Sequence, residues 1–366
     1  MELSVTARCQ GTATGNHHVL LIYGANGYTG QLIVEECLRR GIRPIVAGRR
    51  AETLAPFATT RDLEVRVAAL DDAAAMQRAL RGVQVVLHAA GPFFRTSSPM
   101  LRACLAARVH YLDITGEIAV FEACRAQHAA ATAAGIVVMP GVGFDVVPTD
   151  CLAARLAEKL PGAALLELAF AGGGGFSRGT LKTMVLGSGE GGAIRKDGRI
   201  TRVPAGWKTQ RIPFRDKPRF AVTIPWGDVS TAHWSTKIPN IHTYLAMPQN
   251  AVRSMGMMRL VSPLLAVPFI RQFVESQIDQ RVDGPSAAVR ATAVMQVWGR
   301  VTHADGRTVQ GTAVTPEGYR LTAISAVESA HRVLSAAPSA GYHTPSSAFG
   351  SGFLESLPEC DIVLGA

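Results

Sequence analysis

Between Val19 and Met139 short apolar runs alternate with stretches of helical periodicity, and that alternation restricts the fold more than any other feature of the chain. The pattern predicts strands over Val19–Tyr23, Pro44–Ala47, Glu64–Ala68, Gln84–Ala89, Val109–Leu112 and Ile136–Met139. Between them it predicts helices over Tyr28–Arg40, Ala51–Ala58, Asp72–Arg81, Ser98–Arg108 (capped by Ser97 or Ser98) and Glu117–Ala134. Gly41, Gly82 and Gly135 stand where such helices end, because glycine tolerates the left-handed closing turn. Strands that are apolar on both faces belong in a parallel sheet covered on each side by helices. Right-handed crossovers then give a doubly wound order.

After Pro148 the character changes. A helix is predicted over Cys151–Leu160, followed by shorter alternating runs such as Ala164–Ala171, Phe220–Ile224 and Val289–Arg300. Gly and Pro are interspersed, which suits an antiparallel or mixed sheet. A helix follows over Thr322–Leu334, and the tail Gly341–Leu364 returns to helix and turn residues. The expected organisation is a first domain over 17–150 with a C-terminal return of 338–366, and a second α+β domain over 151–337. A length of 366 residues fits two domains, and 48% hydrophobic against 18% charged residues excludes global disorder.

The net charge of +9 suits an anionic partner: a phosphorylated cofactor, a carboxylate or an acidic membrane surface. The basic residues are scattered and aromatics make up only 6%, so no nucleic-acid partner is expected. The six cysteines form no CxxC pair and read as reduced core thiols of a cytoplasmic protein. The ten histidines show no paired ligand spacing, so no metal site is expected. Met1–Asn16 is polar and lacks the apolar core of a secretory signal. The most apolar stretch, Leu260–Ile270, contains Pro263 and Pro268 and lies between Arg259 and Arg271. It falls well short of the roughly 20 residues that span a bilayer. It is read as a buried or dimer-interface segment or, with Met255, Met257 and Met258 beside it, as a peripheral membrane contact.

The first strand runs into Gly24-Ala25-Asn26-Gly27-Tyr28-Thr29-Gly30, directly before a helix. In that context the first glycine permits a tight turn, the second lets the backbone approach a pyrophosphate, and the third packs helix against sheet. The helix N-terminus then offers unpaired N–H groups to phosphate. The fold class is therefore α/β, a Rossmann-type doubly wound sheet with a second α+β domain. After the second strand stand Gly48-Arg49-Arg50, with no acid to hold a ribose 2′-OH. Guanidinium pairs with a 2′-phosphate, so NADP(H) is the expected cofactor, with Arg49 the expected ligand and Arg50 beside it. Asp71, after the third strand, either caps its helix or contacts the adenine. Ala90, Gly91 and Pro92 end the fourth strand with small residues against which a cofactor can lie, and Phe93 follows.

Ligands of open parallel sheets sit beyond the carboxyl ends of the strands. Asp113 and Glu117 after the fifth strand, and Asp145 after the sixth, are thereby candidates for orienting substrate or relaying a proton. Asp113 and Glu117 equally suit the role of caps on the helix that follows. Ser177, Arg178 and Thr180, beside the Gly172–Gly175 patch, either hold substrate or form an ordinary glycine turn. There is no YxxxK pair and no phosphate-binding GxxxxGK[ST] loop.

Several segments together resemble the saccharopine dehydrogenase-like oxidoreductases, including their trans-acting enoyl reductase-type branch. They are Gly24–Gly30, Ala47–Arg49, Gly91–Phe93, Ala103–Glu117, Gly141–Asp150, Ser177–Thr180, Glu317–Tyr319 and Thr344–Gly350. The resemblance implies a second domain that completes the active site and carries a homodimer contact. It also implies a C-terminal tail that packs back on the first domain, and small-molecule acyl, polyketide- or lipid-like substrates. The leading expectation is an NADP(H)-dependent reductase of an activated C=C bond, with an acyl-carrier protein as a conceivable presenter of substrate. The competing expectations are imine or ketone reduction on a smaller substrate, and a non-catalytic NADP-binding protein at a lipid surface.

Overall fold

The computed structural model describes residues 20–172, 175, 177–187, 191–250 and 268–365. The N-terminal lead-in and most of Leu260–Ile270 lie outside them, as do residues 173 and 174 of the Gly172–Gly175 patch.

The first sheet joins β1 (Leu20–Tyr23), β2 (Ile45–Gly48), β3 (Val65–Val67), β4 (Val85–His88), β5 (His110–Asp113), β6 (Val137–Met139) and, far along the chain, a short strand at Gly341–Tyr342. The order is β3-β2-β1-β4-β5-β6, then Gly341–Tyr342, and every pairing is parallel. Alternate residues supply two cores. Leu21, Tyr23, Val86 and Tyr111 meet the helices Ala73–Ala79 and Phe93–Ala107 on one face. Leu20, Ile22, Val85 and Leu112 meet the helices Tyr28–Arg39 and Gly318–Ser335 on the other. Burial on both faces is why these strands lack the alternation of a half-exposed sheet.

Three elements differ from the sequence expectation. The helix expected from Ser98 begins at Phe93, and Pro92, rather than Ser97 or Ser98, holds the cap position. Proline and the bulky Phe93 and Phe94 conceal a helix start that is capped from elsewhere in the chain. The long helix after β5 is two, Ile118–Ala126 and His128–Ala134, meeting at Gln127. The Val289–Arg300 run is a short helix, Ala287–Thr292, followed by a strand from Val294.

The second sheet continues the strand count: β7 (Leu165–Ala171), β8 (Gly192–Lys196), β9 (Arg199–Val203), β10 (Thr209–Pro213), β11 (Pro218–Thr223), β12 (Asn240–Ala246), β13 (Val294–Thr302), β14 (Thr308–Pro316) and, after the Gly341–Tyr342 strand as β15, β16 (Asp361–Leu364). Its main path is β10-β11-β12-β7-β13-β14-β16, with the β8–β9 hairpin attached to β12. Only the β7–β12 pairing is parallel. The sheet curls strongly. Arg215, just past β10, donates to the Thr312 carbonyl of β14 (3.2 Å) and pairs with Asp361 of β16 (2.6 Å) at the opposite edge. Helices Val147–Lys159 and Asp228–Thr236 cover its other face.

The two units are interleaved rather than divided at 151 and 337. The helix from Val147 lies on the second sheet, whereas Gly318–Ser335 lies against Tyr28–Arg39 on the first. The tail splits, with β15 in the first sheet and β16 in the second.

Candidate active site

Gly24 leaves β1 with φ of +88°, its N–H on the Ala47 carbonyl of β2 (2.8 Å). A Cβ there would lie 2.8 Å from that of Ala90, so the turn is pressed against the end of β4. A Cβ on Gly30 would lie 2.2 Å from the Gly24 carbonyl oxygen, the close packing of helix on turn that only glycine allows. Gly27 is exposed at the helix N-cap, and no side chain caps the helix. The first-turn N–H groups, at the positive end of the helix dipole, thus face outward over a backbone cradle that fits a pyrophosphate. Ala25 is buried in the core, the Asn26 carbonyl accepts from Gln31 (3.1 Å), and Thr29 is half-buried in the first turn.

Tyr28 reaches away from the cradle. Its ring stands edge-on to Tyr319 at 5.0 Å, its hydroxyl donates to the Pro285 carbonyl (2.5 Å), and Arg290 donates to it (2.8 Å). It therefore fastens the turn to the second unit.

Arg49 and Arg50 are exposed just past β2, with no ion-pair partner among the described residues. The buried Tyr23 phenol, pushed up chiefly by burial, is lowered by Arg49 and raised by Asp71, which brings both groups to one end of the first three strands. Asp71 is exposed, and the helix cap is its neighbour Asp72, which accepts from the Ala75 N–H (2.9 Å).

At the end of β4 the Ala90 carbonyl accepts from Thr96 (2.7 Å) and the Gly91–Pro92 peptide is cis. Phe93 and Phe94 donate their backbone N–H groups to Glu117 Oε1 (2.9 Å) and Oε2 (2.8 Å). Glu117 thus caps the preceding helix in space rather than the one it begins in sequence. Phe93 sets its ring edge-on to His88 at 5.4 Å. His88 is fully buried among Tyr23, Phe93 and Tyr111 with neither ring nitrogen bonded, and burial pushes its pKa down to about 3.

The three acids separate by environment. Asp113 has no exposed surface and accepts from the Tyr111 hydroxyl (2.5 Å) and from the N–H groups of Thr115 (3.0 Å) and Gly141 (3.0 Å). It ties β5 to the loop after β6, a structural role in place of the catalytic one expected. Asp145 is partly exposed, and no hydrogen bond to its carboxylate exists among the described residues. Desolvation, and secondarily the charge of Glu117, raise its pKa to about 7. Its carbonyl accepts from Trp226 Nε1 of the second unit (2.8 Å).

Ser177 and Thr180 come to this cleft through a residue that sequence reading passed over. Tyr319 Oη accepts from the Ser177 N–H (2.6 Å) and lies 2.8 Å from Thr180 Oγ1. Glu317, accepting from the N–H groups of Tyr319 (2.9 Å) and Arg320 (3.0 Å), caps the Gly318–Ser335 helix and so fixes the ring. The acid-Gly-Tyr run was the available signal. Arg178, expected to hold substrate, instead pairs with Asp283 (2.5 Å) and donates to the Val282 carbonyl. Its long side chain is drawn to the carbonyl end of the helix Pro268–Arg281.

Residues 20–139 match the family model described as the saccharopine dehydrogenase NADP binding domain. The match assigns an NADP-binding domain of the saccharopine dehydrogenase type to this part of the chain. A Mycobacterium tuberculosis protein named as a candidate trans-acting enoyl reductase is 32% identical over 190 residues, covering 48% of this chain and 45% of that protein. The Caenorhabditis elegans lipid droplet localized protein is 25% identical over 331 residues, covering 76% and 77%. This chain thus spans about half the length of the first of these relatives. The apo saccharopine dehydrogenase (L-Glu forming) of Saccharomyces cerevisiae superposes with a TM-score of 0.65 over 95% of this chain and 99% of that one, at 11% identity. That likeness shows the fold: a parallel dinucleotide-binding sheet with a second mixed-sheet unit. The NADP-binding assignment fits the glycine cradle and the acid-free end of β2. No helix among the described residues is long and apolar enough to cross a membrane.

Proposed function

We propose that the protein is an NADPH-dependent reductase of an activated C=C bond in an acyl- or lipid-like substrate, with Asp145 as the proton donor. The observation that carries this reading is the contrast between Asp145 and its neighbours. Asp113 and Glu117 are committed to backbone N–H groups, while Asp145 is partly open, unbonded and poised near neutrality. A general acid works best with a pKa near the operating pH.

NADPH, when bound, supplies the hydride. The chain's own part begins at the Gly24–Gly30 cradle, which orients the dinucleotide, with Arg49 on its 2′-phosphate. Ser177 and Thr180, held by Tyr319, would donate to the substrate carbonyl and stabilise the enolate as the β-carbon is reduced. Asp145 would then give its proton to the α-carbon and be recharged from solvent. An acceptor already electrophilic at carbon needs no Tyr/Lys pair.

An apolar substrate is supported by Phe94, exposed at the mouth of β4. A peripheral lipid contact belongs to the same reading. Phe269, within the apolar Leu260–Ile270 stretch, and Phe273, one helical turn further on, are 78% and 59% exposed, and one relative is named for lipid droplets.

The test is NADPH consumption with an enoyl thioester, a ketone and a preformed imine, with the saturated thioester as control. The reading predicts turnover of the enoyl thioester to the saturated product. Turnover restricted to the ketone or imine, or none with any acceptor, would overturn it.

A further inference from the structure

A cavity of about 240 Å³ opens where the two units meet, lined by Arg125, Arg195, Ser230, His233, Trp234 and Lys237. Arg125 lies near the carboxyl end of Ile118–Ala126, the helix that starts at Glu117, so this cavity is about 12 Å along that helix from the catalytic cleft. Arg195, on β8, is 6% exposed. Its guanidinium donates to the carbonyls of Val229 (2.7 Å) and Gly198 (2.6 Å) and meets Glu122 at 3.3 Å.

Glu122 is shared. It also accepts from Ser230 (2.5 Å) and pairs with Arg125 (2.8 Å). One carboxylate therefore serves two guanidinium groups. Lys237 adds a third cation, anchored by the Trp234 carbonyl (2.7 Å) and lying 4.5 Å from that indole's centroid. His233 bonds the Ile238 carbonyl through Nδ1 (2.9 Å), which leaves Nε2 unengaged. Its pKa is held below the ordinary value, first by burial and also by the nearby Arg195 and Lys237. Three fixed cations against one carboxylate leave an excess of two positive charges in a confined space, where attraction is less screened than at an open surface.

We infer that this cavity is a binding site for a small phosphate monoester, separate from the dinucleotide site. A monoester near neutral pH carries almost two negative charges and three acceptor oxygens, which matches the excess charge and the unfilled donor capacity of the Arg125, Arg195 and Lys237 heads. The volume exceeds a bare phosphate, and the Trp234 face offers a wall for the organic part. Because the β8–β9 hairpin and the Asp228–Thr236 helix belong to the second unit and Arg125 to the first, the ligand would bridge the units.

The test is calorimetric titration of the full chain with phenyl phosphate and with inorganic phosphate, on the Arg49→Ala background and again with NADPH in excess. Excess NADPH keeps the probe out of the dinucleotide site, and Arg49→Ala removes the side chain expected to hold the 2′-phosphate. The expected result is saturable binding to the parent that weakens about tenfold or more in Arg125→Gln/Lys237→Gln, with acetate not competing. Both substituted side chains are exposed or half-exposed, so the buried Arg195–Glu122 pair remains. Lys237→Gln alone carries the test should the double variant fail to fold. Co-sedimentation with phosphatidic acid vesicles that the same substitutions abolish would identify the monoester as a lipid headgroup. Binding only of the soluble probes would identify it as a free metabolite. No saturable binding, or binding undiminished in the variants, would overturn the assignment.

Discussion

The two walls of the cleft are built by opposite means. The wall proposed for the cofactor is backbone: three glycines, the ends of parallel strands and an uncapped helix, with the Cβ positions of Gly24 and Gly30 already filled by neighbouring chain. The substrate wall is side chain. Tyr319 gathers Ser177 and Thr180 from some 140 positions away, and Tyr28 joins the walls through its ring and hydroxyl. A backbone site has no slack, because a methyl group has nowhere to go. A hydroxyl relay is plastic, because each bond has a neighbour that can replace part of it. Substitutions should therefore be ruinous on one wall and graded on the other.

The largest effect is expected at Gly30. Gly30→Ala drives a methyl group into the Gly24 carbonyl, and overpacking against rigid backbone should cost about 3 kcal/mol or more and abolish NADPH binding. Denaturant melts and a fluorescence titration read both. Near-normal NADPH affinity would show that the turn yields and that the contrast is wrong. Arg49→Ala should weaken NADPH about tenfold to a hundredfold and leave NADH unchanged, since only the 2′-phosphate is lost. Equal losses for both nucleotides would move the 2′-phosphate away from Arg49.

Glu117 stands between the walls. Glu117→Ala uncaps Phe93–Ala107 and should cost about 1–2 kcal/mol in a denaturant melt. It should also lower the Asp145 pKa by removing a neighbouring negative charge. The smallest effect is expected from Tyr319→Phe, which removes one hydroxyl from a three-member cluster. A loss of about 1 kcal/mol in stability, with KM for the acceptor rising more than kcat falls, would mark the plastic wall. A collapse as severe as that of Gly30→Ala would erase the distinction.

The same contrast explains what could be read from the chain. The first sheet was legible because its central strands β1, β2 and β4 are buried on both faces and each turn is local, as at Gly24–Gly30. The acid-free Gly48-Arg49-Arg50 likewise carries its chemistry in consecutive residues. The partner of Arg178, Asp283, is 105 positions distant, so no local pattern announces it. Glu117 was read as a cap for its own helix, yet its carboxylate reaches the one before, and no local rule reports a cap that arrives across a cleft. Asp113 and Asp145 look alike in sequence and differ in burial and in the donors, two backbone N–H groups and the Tyr111 hydroxyl, that the fold aims at Asp113 alone.

The most direct test of the account is the pH dependence of NADPH-driven enoyl thioester reduction in the parent and in Asp145→Asn. Asp145 must be protonated to act, and its folded pKa is raised to about 7, so the parent rate should be full below that pH and fall as pH rises through it. Asp145→Asn should lose roughly a hundredfold or more in kcat, keep its NADPH affinity and lose that falling limb. A variant with the parent's rate and the parent's profile would contradict the assignment of Asp145 as the proton donor.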